Sequence, residues 1–273
     1  MDDTATIEEL VTCLSGTPEN AAAAIEALRR RGASAAVPAI AGLASSAHGM
    51  VRLGVVEALG TLGRDQADVA GPALVQLLAD PDNYIRAEAA DALGAIGYAP
   101  AAALLAEHLR TDPNATVRAA AAETLGDLGD ANALPALLHA LADSDPAVRG
   151  YAANSLGLLG TSDIAPMLLR SVEREPSAAI RGEIHGALYR LGSTDALSAM
   201  LDLLSTDDED LATHLLNTVE DLVTRRQPAG LSLDAPRLHD ALAALERRVP
   251  LVAPHAAAIR TKLSAARITS DDE

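Results

Sequence analysis

The sequence predicts an all-α protein, a right-handed α-solenoid of about seven to eight helical hairpins. Three observations lead to this reading. An arginine recurs at Arg52, Arg86, Arg118, Arg149 and Arg181, about every 32 residues, a period in the range of stacked helical repeats. Closing glycines at Gly63, Gly97, Gly129, Gly160 and Gly192 keep step with the arginines, and Gly32 precedes Gly63 by one further period. The chain has 4 Tyr and no Phe or Trp within a hydrophobic content of 49%, so its core is built from Ala, Leu, Val and Ile. Small aliphatic side chains suit closely packed helices and suit strands poorly.

The elements follow in order. Ile7, Leu10, Val11 and Leu14 stand at helical spacing over 5–15. Thr17 is placed to cap a helix with Pro18 in its first turn, ending at Arg29-Arg30-Arg31 and Gly32. Three arginines at a helix C-terminus complement its dipole, and we read them that way rather than as a nucleic-acid patch. From there, first helices are expected near 33–45, 66–79, 98–110, 130–142, 161–173 and 193–205. Second helices are expected near 48–62, 83–96, 115–128, 146–159, 178–191 and 208–226. Pro38, Pro72, Pro100, Pro135 and Pro166 fall in the first helices, which are therefore expected to be kinked. Gln227–Asp234 reads as a longer loop, followed by two terminal helices near 236–249 and 254–268. The chain thus reads as one solenoid domain over 1–273. A divergent repeat occupies 1–32, regular repeats 33–192, a divergent repeat and capping helices 193–268, and a frayed tail 269–273.

Each hairpin linker has its own logic. Four residues before the repeated arginine stand Asp82, Asn114, Asp145 and Ser177, all good N-caps for the second helix. Six residues before it stand Asp80, Asp112, Asp143 and Glu175. An acid at a fixed offset from an arginine suggests a ladder of hydrogen-bonded ion pairs, with Asp80, Arg86, Asp112, Arg118, Asp143, Arg149, Glu175 and Arg181 as its members. Asp80-Pro-Asp82 and Asp143-Ser-Asp145 lack the glycine and bidentate glutamate of a calcium loop.

With the arginine as position zero, positions −1, +3, +7 and +10 form an apolar stripe, as in Val148, Ala152, Leu156 and Leu159. Positions +1, +5, +8 and +9 are then expected on the opposite, inner face. Position +5 holds Glu57, Asp91, Glu123, Asn154 and Gly186; position +9 holds Thr61, Ala95, Asp127, Leu158 and Arg190. Position +8 is Gly60, Gly94, Gly126 and Gly157. This face is expected to be narrow, smooth and acidic at first, then neutral, then basic, with Tyr151, Glu183, His185 and Tyr189 adding larger polar groups.

The copies that read Asp-Pro…Val-Arg…Ala-Ala…Leu-Gly…Leu-Gly resemble HEAT repeats, of the short bacterial and archaeal kind named after the phycobilisome lyases. The resemblance covers 33–192 well and 1–32 and 193–268 weakly. It implies that the second helices line a concave groove. It does not select a function, because such proteins include scaffolds, adaptors, bilin lyases and iron-dependent hydroxylases. The His-Glu pairs that bind iron in the hydroxylases do not occur in this sequence.

Composition narrows the partners. Net charge is −17, and Lys262 is the only lysine. Such a surface repels phosphate backbones and anionic membranes and favours a basic protein partner. No apolar run has the roughly 18 residues of a membrane span. The acidic N-terminus does not read as a signal peptide, and Cys13 is alone, so a cytoplasmic location is expected. Phosphate-loop, zinc-protease and nucleophile-elbow motifs are absent, and the histidines (His48, His108, His139, His185, His214, His239 and His255) are scattered. The expectation is a noncatalytic scaffold or adaptor without a cofactor or metal. It would hold a basic or helical protein segment against Glu57, Glu88, Asp91, Glu123, Asp127, Tyr151 and Asn154. The alternative is a bilin (linear tetrapyrrole) lyase or a chromophore-handling chaperone.

Overall fold

The computed structural model describes residues 5–224 and 235–270. The expected loop at Gln227–Asp234 and the last three residues lie outside the described residues. Among the described residues there are sixteen α-helices and no strand. In chain order they are α1 (Ile7–Cys13), α2 (Pro18–Arg30), α3 (Val37–Ala41), α4 (Gly49–Leu62), α5 (Ala67–Leu77), α6 (Asn83–Ala95), α7 (Ala102–Thr111) and α8 (Ala115–Leu128). Then follow α9 (Leu134–Ala140), α10 (Pro146–Leu159), α11 (Ala165–Arg174), α12 (Ala178–Arg190), α13 (Thr194–Leu203), α14 (Glu209–Thr224), α15 (Ala235–Arg248) and α16 (Ala253–Ser270). The helix α16 continues through Thr269 and Ser270, where a frayed tail was expected. The chain falls into two compact units, Met1–Ser155 and Leu156–Glu273, whose boundary lies inside α10.

In the first unit each second helix packs on the next, α2 on α4, α4 on α6 and α6 on α8, while first helices cover them from the other side. Leu59, Leu74, Leu93, Leu105 and Leu125 form the fully buried centre of these layers. In the second unit α12 packs on α13 and α14, and α15 and α16 pair, with α16 against α14. The paired terminal helices thus close over α14, where Glu220 meets His255 at 2.8 Å.

The prolines act differently from the expected kinks. Five of the first helices begin as a 3-10 turn: Ser34–Ala36, Arg64–Gln66, Ala99–Ala101, Ala131–Ala133 and Ser162–Ile164. Pro38, Pro135 and Pro166 sit at the second α-helical position just after such a turn, and Pro100 sits within one. The missing N–H therefore falls among donors that are unpaired in any first turn. Of these five prolines only Pro72 lies beyond the first turn of an α-helix, in the interior of α5.

The linker caps have physical partners. Asp82 accepts from the Tyr84 N–H, Asn114 from Thr116 and Val117, Asp145 from Ala147 and Val148, and Ser177 from Ile180. The closing glycines divide into two kinds. Gly97 and Gly129 adopt φ of 69° and 76°, the left-handed cap conformation that glycine enters without a Cβ penalty. Gly63 has an ordinary φ of −87°, but a Cβ there would stand 2.6 Å from the Ala70 methyl.

The repeated arginines tie these layers together. Each donates from Nη1 to a backbone carbonyl six residues earlier: Arg52 to Ser46, Arg86 to Asp80, Arg118 to Asp112, Arg149 to Asp143 and Arg181 to Glu175, at 2.9–3.0 Å. In Arg52, Arg86 and Arg118 the Nε/Nη2 edge then grips the carboxylate of the following repeat. Arg52 meets Asp80 at 2.6 and 3.0 Å, Arg86 meets Asp112 at 2.9 and 3.0 Å, and Arg118 meets Asp143 at 2.8 Å twice. Each acid also accepts a backbone N–H two residues on, from Asp82, Asn114, Asp145 and, at Glu175, Ser177. The side chains of Asp80 and Asp112 are 2% and 3% exposed, so these are buried bidentate pairs rather than surface ones.

Burial pushes the Asp80 and Asp112 carboxyls up, but the arginine and backbone donors more than reverse it, and both are held below the usual carboxylate range. Asp143 is held down first by Arg118. A depressed folded pKa contributes stability that is complete above the unfolded value of about 4 and is lost as pH falls through the folded value. Replacing Asp112 with Asn leaves the Arg86 charge buried without its counter-ion, and should cost about 3–5 kcal/mol at neutral pH. The variant should also show a shallower loss of stability on acidification than the native chain. Urea unfolding across an acid series, followed by circular dichroism, checks both; parallel acid limbs would contradict the assignment.

Candidate functional site

The second helices of the first unit are held close because their facing residues are small. The glycine at +8 of one helix meets the side chain at +6 of the next. A Cβ on Gly60 would stand 3.1 Å from the Ala92 methyl, and one on Gly94 would stand 3.2 Å from Thr124 Cγ2; one on Gly126 would overlap Ser155. Thr124 and Ser155 carry hydroxyls that bond into the preceding helix. Thr124 Oγ1 donates to the Ala90 carbonyl at 3.0 Å, and Ser155 Oγ donates to the Ala122 carbonyl at 2.7 Å. The expected smooth inner face of +8 glycines is thus a packing seam between helices. Position +1 is buried as well, at Ala87 and Ala119.

The seam rotates the open stripe to positions −2, +2, +5 and +9. On α4 these are Met50, Gly54, Glu57 and Thr61, and on α6 they are Tyr84, Glu88, Asp91 and Ala95. On α8 the stripe runs through Thr116, Glu123 and Asp127, while Ala120 at +2 is buried. Two adjoining recesses open along this stripe. One, of about 420 Å³, is lined by Arg29, Glu57, Gly60, Thr61, Glu88 and Asp91 among others. The second, of about 530 Å³, is lined by Arg64, Asp91, Gly94, Glu123, Thr124 and Asp127 among others. Asp91 belongs to both. The structure therefore brings together five of the seven expected partner-binding residues. Tyr151, 41% exposed, and Asn154 lie on α10 and line neither recess.

Carboxylates outnumber cations at the recesses. The two arginines there have other engagements: Arg29 meets Glu26 at 2.8 Å, and Arg64 donates to the Ala95 carbonyl at the end of α6 at 2.7 Å. Desolvation pushes the Asp91 carboxyl up to about 7, helped by Glu123, Glu88 and Asp127. Its side chain still reaches solvent, so a ligand can reach it. Beside it, the Glu88 carboxylate raises the Tyr84 phenol pKa. Tyr84 is 52% exposed and Met50 60% exposed, so apolar surface borders the carboxylates. Sequence reasoning missed Tyr84, Met50, Arg29 and Arg64. The signal for Tyr84 was its place two turns before Asp91 on one helix, which the misassigned stripe hid.

The expected basic end of this face does not form. Arg190 is 4% exposed and pairs with Asp221 at 2.6 Å, and Tyr189 is 2% exposed in the core of the second unit. Glu183 instead accepts from Thr218 at 2.8 Å and lies 3.1 Å from His214. Among the described residues no group of three or more His, Cys, Asp or Glu side chains is placed to hold a metal ion. No helix among them is long and apolar enough to cross a membrane.

Stacked helical hairpins with a repeating arginine–carboxylate tie define an α-solenoid repeat protein. The chain belongs to the HEAT-repeat family, whose model matches residues 7–70, 71–144 and 134–219. Among solved structures it is similar to the complex of CpcE and CpcF of phycocyanin lyase from Nostoc sp. PCC7120, with TM-score 0.55, 23% identity, and coverage of 89% of this chain and 95% of that one. It is also similar to Escherichia coli YibA, with TM-score 0.54, 18% identity and coverage of 96% and 93%. A third likeness is to the karyopherin Kap121p bound to the extreme C-terminus of the protein phosphatase Cdc14p. There TM-score is 0.54 and identity 17%, over 92% of this chain and 28% of that one. No curated protein sequence matches at a significant level.

Asp91 gives a direct check on the recess electrostatics. Its folded pKa lies above the unfolded value of about 4, so the folded chain holds an extra proton between the two values, and ionising Asp91 above them costs stability. Asp91→Asn should raise the melting temperature at about pH 8 and leave it unchanged at about pH 4. Thermal unfolding at the two pH values checks this; an equal shift at both would show that Asp91 is not under electrostatic strain.

Proposed function

We propose that the chain is a noncatalytic interaction module that holds a basic segment of a protein partner in the acidic groove of its first unit. One observation carries this reading. Three successive second helices direct five carboxylates, Glu57, Glu88, Asp91, Glu123 and Asp127, toward two adjoining recesses. Their mutual repulsion is relieved when arginine or lysine side chains enter. Tyr84 and Met50 add apolar and π surface for the stems of those side chains. The helices are preassembled by the seam and the ladder, so binding orders little of the module itself. The strongly acidic surface steers a cationic segment inward. Kap121p, of similar fold, is bound to the extreme C-terminus of another protein, which supports a chain segment as the kind of ligand. The module is proposed to act in the cytoplasm, without metal or cofactor.

The alternative expected from the sequence, handling of a bilin, is opposed by charge. A linear tetrapyrrole carries propionates, which the same carboxylates repel.

Fluorescence anisotropy with an arginine-rich peptide tests the reading. Binding should weaken steeply with salt. The double variant Asp91→Lys, Glu123→Lys should lose about tenfold in affinity or more and show a smaller salt dependence. Unchanged affinity would remove the groove from the account. A coloured complex formed on mixing with a linear tetrapyrrole would favour the alternative.

A further inference from the structure

The arginine–carboxylate ladder has one rung that the sequence leaves open, and it lies in the second unit. Arg181 is held as its counterparts are, with Nη1 donating to the Glu175 carbonyl at 2.9 Å and the Pro176 carbonyl at 3.2 Å. In the first unit the other guanidinium edge is closed by an aspartate 28, 26 or 25 residues later. At the same distance beyond Arg181 as Asp143 lies beyond Arg118, the sequence has Thr206. Thr206 occupies the acid's place in the linker. Its Oγ1 accepts the Asp208 N–H at 3.0 Å, as Asp80 accepts that of Asp82 at 2.9 Å. Asp208 in turn caps α14 through the Leu211 N–H at 2.9 Å, as Asp82 caps α6. Among the described residues no carboxylate reaches the remaining edge of Arg181.

We propose that Thr206 is a phosphoacceptor, and that its phosphoryl group supplies the missing anion to Arg181. The hydroxyl oxygen would attack the γ-phosphorus of a nucleoside triphosphate in a protein kinase. The new Oγ1–P bond forms as the bond to the leaving diphosphate breaks, and the hydroxyl proton passes to the kinase's base. Thr206 is part-exposed, and the following Asp207, Asp208, Glu209 and Asp210 are exposed, so an enzyme that reads acidic residues can reach it. The product places a dianion against a preorganised guanidinium edge and close to the N-terminus of α14, and both favour it.

A freely diffusing anion is a weaker fit. The acidic run repels it, whereas a covalently attached group is already in place. Two of those acids are also engaged, Asp208 in the cap and Asp207 with Arg248 at 3.4 Å, which lessens the repulsion on the attached group. The His185 imidazole, one helical turn on, is held below its usual range by burial and then by Arg181. This inference does not depend on the acidic-groove reading of the first unit.

The test uses the full chain with phosphothreonine incorporated at 206, beside the unmodified chain, each with and without Arg181→Gln. The modification should raise the melting temperature by about 2–4 °C. Arg181→Gln should abolish the gain, and the His185 pKa followed by NMR should rise on modification only when Arg181 is present. Mass spectrometry of the protein from its native cells should find the phosphoryl group on Thr206. No gain, a gain that survives Arg181→Gln, or an unmodified Thr206 in native protein would overturn the proposal. An equal gain from inorganic phosphate added to the unmodified chain would also overturn it, by showing a site for a free oxyanion.

Discussion

The bidentate contact between an arginine in one repeat and an aspartate in the next is the interaction on which the first unit depends. One guanidinium does two tasks there. Nη1 closes its own hairpin linker on a backbone carbonyl, and the other edge fastens the next linker. The aspartate is fixed in turn by a backbone N–H in its own turn. The polar groups of the pair find partners as they leave water, which is the condition under which a buried ion pair holds rather than weakens a fold. The arrangement also sets register, because the pair forms only when adjacent hairpins are aligned.

Register matters because of what the second helices carry. Glycine, alanine and short hydroxyl side chains at the seam bring α4, α6 and α8 together. Close approach places the carboxylates of neighbouring helices around shared recesses, and it raises the cost of charging Asp91. The apolar core holds the layers and the ladder aligns them. The electrostatic tension that the alignment creates is what the proposed cationic segment would relieve. The second unit follows a different course: Arg190 is turned into the core against Asp221, and its second-helix face is not a basic continuation of the groove.

Much of this was legible in the sequence. The period of Arg52, Arg86, Arg118, Arg149 and Arg181 located the second helices to within a few residues, and the acids six residues earlier identified the members of the ladder. The face of the second helices was less legible. Positions +5 and +8 lie within a single turn of about 3.6 residues, on neighbouring strips of the helix surface. A glycine gives no hydrophobic signal, so a seam and an open floor look alike in sequence. The +8 glycines were therefore placed on the open face, when the open stripe lies one step around, at Tyr84, Glu88 and Asp91. Arg190 misled for a related reason. Its burial depends on Asp221, a partner 31 residues away in a repeat whose own arginine is missing. The prolines misled because a 3-10 turn preceding an α-helix has no apolar periodicity to announce it.

The central claim is that the arginine–carboxylate contact couples adjacent repeats. A double-mutant cycle on Arg86 and Asp112 tests it most directly, with Arg86→Met, Asp112→Leu and the double variant compared by equilibrium unfolding at neutral pH. The account predicts that each single change is strongly destabilising and that the double variant recovers much of the loss, with a coupling energy of about 3 kcal/mol. Additive losses, with coupling near zero, would mean that packing alone aligns the repeats and that the ladder merely accompanies it.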